Sequence, residues 1–109
     1  MIMFKHEREI LASLSDLLRD RFGEDIQSVY AFGSRVRGDN DGLSDFDLLV
    51  VVKDRTPEKE KNIIGAIVDF EMERDMSFTP VLKDAGSFAL EKKFNAPFYR
   101  NIAREGVLL

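Results

Sequence analysis

One segment of this 109-residue chain, Phe46–Val52, limits the fold more than any other. It is apolar at every position except Asp47. A strand with no alternation between apolar and polar side chains is typical of a β-strand that is covered on both faces. We therefore expect Phe46–Val52 to be an internal strand of a sheet with helices packed against it.

Apolar periodicity and capping residues predict the remaining elements. The fold class they indicate is α+β, one mixed β-sheet with helices packed against it, in a single domain over residues 1–109 and in the order α-β-β-α-β-α-(β). The predicted elements are a helix over 4–22 ending at Gly23, a strand over Ile26–Phe32, a helix started by Thr56 and Pro57 and ending near Arg74, a strand over 76–82 with Pro80 where no ladder hydrogen bond is needed, a loop over 83–87, helical pieces over 87–94 and 97–105, and an edge strand over 107–109.

Composition excludes several classes of function. The chain has no Cys and a single His, so a disulfide framework, a thiolate metal site, a cysteine nucleophile and a Ser-His-Asp triad are all excluded, and a reducing, cytoplasmic location is expected. Its 16 Lys+Arg against 20 Asp+Glu give a net charge of −4, which argues against nucleic acid as the main ligand. No apolar run approaches the length of a membrane span.

Two short motifs lie at the two ends of the polar segment 33–44. Gly33 and Ser34 follow the first strand, where a missing side chain, a hydroxyl and the start of a helical turn suit a phosphate. Asp45 and Asp47 lie two residues apart, so their carboxylates point to one face of the second strand and suit Mg²⁺, which prefers oxygen ligands. Together the motifs predict a site for a nucleoside triphosphate held on metal ions.

Three further side chains of this segment are candidates for the same site. Arg35 and Arg37 either contact the triphosphate or lie on the surface facing an acidic partner, and Ser44 either orients the loop or contacts the nucleotide.

The spacing of the two motifs closely resembles the signature of the DNA polymerase β-like nucleotidyltransferase superfamily. Gly33-Ser34 is followed by ten residues, 35–44, and then by Asp45-Phe46-Asp47. The fuller pattern, Gly-Ser-Arg-x-Arg-Gly-Asp and then Ser-Asp-x-Asp-Leu-Leu-Val, resembles the minimal nucleotidyltransferases. Residues 97–107, Pro-Phe-Tyr-Arg-Asn-Ile-Ala-Arg-Glu-Gly-Val, are similar to the C-terminal segment of that branch.

The resemblance implies a nucleotidyltransferase core that moves a nucleoside monophosphate, AMP from ATP, onto a protein hydroxyl. Gly33 and Ser34 would then bind the β- and γ-phosphates, and Asp45 and Asp47 would bind two Mg²⁺ ions. Many minimal members pair with a small helical partner of the HEPN class as a toxin–antitoxin system, which would make this chain the antitoxin.

One departure from the family pattern stays open. The family supplies a third carboxylate from the strand after the second long helix. Asp75 stands near the start of that strand and would be both catalytic and a metal ligand, yet alignment on Pro80 puts Ser77 at the family position. Because residues 75 and 77 share a face of an extended strand, alternation cannot choose between them.

The rival hypothesis is a binding module with a weak or inactive site that neutralises a helical toxin by contact alone. A third hypothesis, nucleotidylation of a small molecule, is weaker, since 109 residues leave no room for an additional acceptor lobe. The acceptor half of the site is therefore expected from a partner, in a homo- or hetero-oligomer whose composition the sequence leaves open.

Overall fold

The computed structural model describes residues 5–37 and 45–109, with only the backbone of Arg37. These residues form five α-helices, four β-strands and a 3-10 turn over Gly23–Asp25. The elements are α1 (Lys5–Phe22), β1 (Ile26–Phe32), α2 (Ser34–Arg37), β2 (Phe46–Val52), α3 (Pro57–Arg74), β3 (Phe78–Asp84), α4 (Ala85–Lys93), α5 (Pro97–Glu105) and β4 (Val107–Leu108).

The four strands form one mixed sheet in the order β3-β2-β1-β4. Strand β2 runs antiparallel to β1 and parallel to β3, and β4 pairs antiparallel with the other side of β1. Strand β2 is therefore internal, as its apolar sequence predicts. Pro80 lies on β3, at the edge of the sheet, where a residue without an N–H is tolerated.

Helices cover both faces of the sheet. On one face α1 and α3 pack against β2 side chains such as Leu48 and Val50, which are fully buried. On the other face α4 and α5 supply Phe88 and Ile102, which pack against Leu49 and Val51. We refer to these as the α1/α3 face and the α4/α5 face. The mixed α+β fold class is thus confirmed.

Local signals explain where two of the long helices begin and end. Helix α1 is followed by Gly23 at φ +57°, the left-handed conformation that favours glycine after a helix. Helix α3 begins with Thr56 as its N-cap, whose side chain accepts a hydrogen bond from the Lys59 N–H, and Pro57 follows in the first turn.

The prediction was wrong around the third strand. Strand β3 spans Phe78–Asp84 instead of 76–82, because it pairs with β2 along the whole length of that strand, from Phe46 to Val52. The predicted loop over 83–87 is absent, since Asp84 ends the strand and caps α4 directly by accepting from the Gly86 and Ser87 N–H groups. The helical turn expected after Gly33 is confirmed as α2, a one-turn helix at the start of the polar segment.

Across the two described ranges, none of the helices combines the length and the apolar character needed to cross a membrane.

Candidate active site

The Gly33-Ser34 and Asp45-x-Asp47 motifs meet through the pairing of β1 with β2. Phe32, the last residue of β1, lies opposite Asp47 in the antiparallel register, so Gly33 follows directly beside that carboxylate. Gly33 is buried and has φ +88°, and a Cβ on it would lie 2.0 Å from Asp47 Oδ2. Only glycine fits here, both in conformation and in space. The missing side chain thus makes room for the Asp47 carboxylate itself.

Asp45 and Asp47 face the α4/α5 side of the sheet. Phe46 and Leu48, which alternate with them, are buried in the core of the α1/α3 face. Asp45 directly precedes β2 and is exposed, whereas Asp47 is half-buried. The two carboxylates therefore stand at the start of a rigid internal strand, on a surface that a ligand can reach.

Strand β3 supplies a third polar side chain that sequence reasoning missed. Thr79 is the parallel partner of Asp47, and its Oγ1 donates a hydrogen bond to Asp45 Oδ2 at 3.2 Å. The signal that would have found it is the β2–β3 register. This register cannot be predicted from a short stretch of sequence, because the pairing joins residues more than 30 positions apart.

The donor set at this site fits a hard divalent cation. It consists of two carboxylates on one face of one strand and a neighbouring hydroxyl, and magnesium prefers oxygen ligands. Two like charges at this spacing also favour a cation between them. Within residues 5–37 and 45–109, no cluster of three or more His, Cys, Asp or Glu side chains could hold a metal.

The third-carboxylate candidates lie just before β3. Asp75 caps the C-terminus of α3 in the left-handed conformation, φ +54°, donates its N–H to the Glu71 carbonyl and is exposed. The Ser77 carbonyl accepts the Phe46 N–H, so Ser77 lies next to Asp45 across the β2–β3 ladder. The role of Asp75 as a metal ligand stays a prediction, since it is not part of an acidic cluster with Asp45 and Asp47 in the described chain.

The described contacts of Arg35 are on the other side of β2. Its guanidinium forms an ion pair with Glu7 of α1 and lies 4.3 Å from the centre of the Phe46 ring. These contacts hold α2 against the α1/α3 face, and a role for Arg35 in nucleotide binding stays a prediction. Ser34 begins α2 directly after Gly33. The Arg37 side chain and Ser44 lie outside the described residues.

Aromatic side chains close the α4/α5 face next to the carboxylates. Phe32 packs edge-on against Phe98 of α5, with 5.8 Å between ring centres. Lys83 Nζ lies 4.4 Å from the centre of the Phe98 ring and 2.6 Å from Glu91 Oε2. Helices α4 and α5 are therefore held against the sheet by ring contacts and by an ion pair that is about three-quarters shielded from solvent.

Comparisons with known proteins show the family to which the chain belongs. The family model described as "Nucleotidyltransferase domain" matches residues 11–107. Two proteins of Methanocaldococcus jannaschii, each named "Putative protein adenylyltransferase", are similar to the chain. One is 33% identical over 76 residues, covering 69% of this chain and 73% of the relative, and the other is 28% identical over 85 residues, covering 75% and 58%.

A solved structure shares the fold. It is described as a "putative nucleotidyltransferase from Sulfolobus solfataricus" and superposes with a TM-score of 0.58 at 24% identity, covering 92% of this chain and 76% of the other. At this identity the likeness supports the fold alone.

Proposed function

This chain belongs to the nucleotidyltransferase domain family, and from that premise we propose that it transfers AMP from ATP, with Mg²⁺, onto a hydroxyl group of a partner protein. One observation carries the proposal. Gly33 lies directly against the Asp47 carboxylate, which supports a single site formed by the Gly-Ser motif and the carboxylate pair. The names of the two archaeal relatives support a protein as the acceptor.

Each motif has a role that follows from its chemistry. Asp45 and Asp47 are the residues that would hold magnesium, and Ser34 and the Gly33 backbone would bind the β- and γ-phosphates. When bound, the metal neutralises phosphate charge and polarises the α-phosphoryl group. The acceptor oxygen then bonds to the α-phosphorus, the bond to the bridging oxygen breaks, pyrophosphate leaves and the hydroxyl proton passes to solvent.

The pairing of β1 with β2 supplies the positioning. Both motifs stand at the ends of neighbouring strands whose hydrogen bonds continue to Phe32 and Asp47. A phosphate group and a cation bound there would be held at a constant separation, which is the main protein contribution in phosphoryl and nucleotidyl transfer.

We further propose that the acceptor is a small helical protein of the HEPN class and that the chain acts in the cytoplasm as its antitoxin. The resemblance of the Gly-Ser and Asp-x-Asp motifs, and of residues 97–107, to the minimal nucleotidyltransferases supports this setting. The partner would also bring the acceptor hydroxyl to the exposed side of Asp45.

A second candidate function is neutralisation of that partner by binding alone. The observation that favours it is the composition of the β3 side of the site, where Ser77 and Thr79 stand next to Asp45 and Asp47. If the reaction needs three carboxylates, two hydroxyls in place of the third would leave the site weak or inactive.

The test uses as acceptor the protein encoded by the gene next to this one, where the partner of a toxin–antitoxin pair is expected. Transfer of label from [α-³²P]ATP to that protein is measured with Mg²⁺ and with EDTA. Asp47→Asn keeps the shape of the side chain beside Gly33, and we expect it to lower the initial rate by at least about a hundredfold, because loss of a metal's outer-shell partner alone costs about 10–100-fold. Asp69→Asn, at an exposed carboxylate on α3, is the matched control and should keep the wild-type rate.

Absence of label with wild-type protein, or equal labelling by wild type and Asp47→Asn, would reject the enzymatic proposal. If the variant with both Asp45 and Asp47 replaced by Asn still protects cells from the partner, the binding function is favoured instead.

A further inference from the structure

The two residues across the ladder from Asp45 and Asp47 are of types that carry a hydroxyl group. In the parallel register Thr79 is the partner of Asp47, and the Ser77 carbonyl accepts the Phe46 N–H one step earlier in the ladder. Ser77 directly precedes β3 and Thr79 lies on it, so the residues next to Asp45 and Asp47 across the ladder are a serine and a threonine. A carboxylate on β3 would repel both aspartates, whereas a hydroxyl can donate to one of them.

The Thr79 hydroxyl is already directed at one carboxylate. Its Oγ1 lies 3.2 Å from Asp45 Oδ2, and a hydroxyl that donates to a carboxylate makes a charge-assisted hydrogen bond. Asp45 itself directly precedes β2 and is exposed, so ladder pairing within β2 does not restrain its side chain. The bond from Thr79 therefore restricts the rotation of a carboxylate that would otherwise move in solvent.

We propose that Thr79 is a positioning residue of this site, which orients the Asp45 carboxylate for a divalent cation by donating to Oδ2. Asp45 would then present its Oδ1 atom to a bound cation in a fixed orientation. This inference rests on the proposed function, because it takes Asp45 and Asp47 as metal ligands. It differs from the family expectation, in which the strand after α3 provides a third ligand, since here that strand orients an existing ligand.

The experiment measures cation binding without turnover. Mn²⁺ is titrated into the full chain in the presence of a saturating ATP analogue with a methylene group between the α- and β-phosphorus atoms, and free Mn²⁺ is followed by electron paramagnetic resonance. Thr79→Val keeps the shape and a strand-forming side chain but has no hydroxyl, and Thr79→Ser keeps the hydroxyl. Thr79 is exposed on an edge strand, so both variants should fold, which circular dichroism checks.

We expect Thr79→Val to weaken Mn²⁺ binding about tenfold, in the range typical of residues that orient a ligand, and Thr79→Ser to stay within about twofold of wild type. Wild-type affinity in Thr79→Val, or equal weakening in both variants, overturns the inference. A double variant, with both Asp45 and Asp47 replaced by Asn, tests the proposed function separately. If it binds Mn²⁺ as tightly as wild type does, the proposed function fails and the inference fails with it.

Discussion

The two faces of strand β2 differ in the side chains that they present. On the α1/α3 face the alternating residues are apolar from Phe46 to Val52 and buried along the whole strand. On the α4/α5 face Leu49 and Val51 are equally buried, but the face begins with the carboxylate of Asp47. One strand thus contributes core on one side and both core and candidate chemistry on the other.

The helices that cover the two faces differ in length. Helices α1 and α3 have 18 residues each, whereas α4 and α5 have 9 each. The longer pair buries the larger cluster of side chains, and apolar burial is the main source of stability. The α1/α3 face therefore holds the sheet together, and the α4/α5 face can leave one end open for a ligand.

Matched truncations on the two faces should give the largest effects on stability. Ile67 on α3 and Ile102 on α5 are both almost completely buried. We expect Ile67→Ala to lower the free energy of unfolding by about 4 kcal/mol and Ile102→Ala by about 2 kcal/mol, within the usual range for isoleucine truncation, because the smaller cluster can collapse more easily around the cavity.

Urea unfolding with equal slopes for all variants measures these differences. Val68→Ala on α3, at a position 44% exposed, is the control and should change the free energy of unfolding by well under 1 kcal/mol. Equal losses for the two isoleucines, or a larger loss for Ile102→Ala, would contradict a division of the sheet into a stabilising and an open face.

A substitution at Gly33 should act on stability and activity together. An alanine Cβ would lie 2.0 Å from Asp47 Oδ2, on a backbone with φ +88°. We expect Gly33→Ala to cost about 1–3 kcal/mol of stability, as strained backbone does, and to lower transferase activity because Asp47 must move. Unfolding and labelling with [α-³²P]ATP measure the two effects.

Gly65 provides the matched control for this variant. It lies within α3, and a Cβ there would meet nothing within 4 Å, so Gly65→Ala should stabilise the protein by about 0.5–1 kcal/mol and leave activity unchanged. A Gly33→Ala variant with wild-type stability and activity would show that the carboxylate does not depend on this glycine.

Most of the fold could be predicted from local signals. The uniform apolar run of β2 indicates an internal strand, and Gly23 and Thr56 mark the boundaries of α1 and α3. The end of β3 could not be predicted in the same way. It is set by pairing with β2 up to Val52 and by the cap that Asp84 forms, and both depend on tertiary structure.

The candidate site shows the same division. Its two motifs are visible in the sequence, but their contact depends on the β1–β2 register that brings Gly33 to Asp47. The bond from Thr79 to Asp45 joins residues 34 positions apart, and the ion pair of Arg35 with Glu7 joins residues 28 apart. No local sequence pattern indicates contacts between residues this far apart in the chain, which is why Thr79 was missed.

The smallest effect that we predict is a pH-dependent change in stability at Asp84. Asp84 is the parallel partner of Val52, at the end of β2 remote from the carboxylates, and accepts hydrogen bonds from the N–H groups of Arg55, Gly86 and Ser87. These bonds hold the pKa of the Asp84 carboxyl below its ordinary value of 3.8, and the bond from the Arg55 N–H has the largest effect. A carboxyl whose pKa falls on folding stabilises the protein above the unfolded-state pKa and loses that contribution as the pH falls through the folded value.

The difference in free energy of unfolding between wild type and Asp84→Asn should therefore be constant from pH 7 to 5 and should shrink as the pH falls below 3.8. Urea unfolding at pH 7, 5, 4 and 3 measures it, with Asp69→Asn on α3 as the control for general carboxylate titration. Because Asp84 lies at the opposite end of β2 from Asp47, transferase activity at neutral pH should stay at the wild-type level. A stability difference that does not change with pH would mean that the charge of Asp84 contributes nothing, and a loss of activity would mean that the two ends of the strand are coupled.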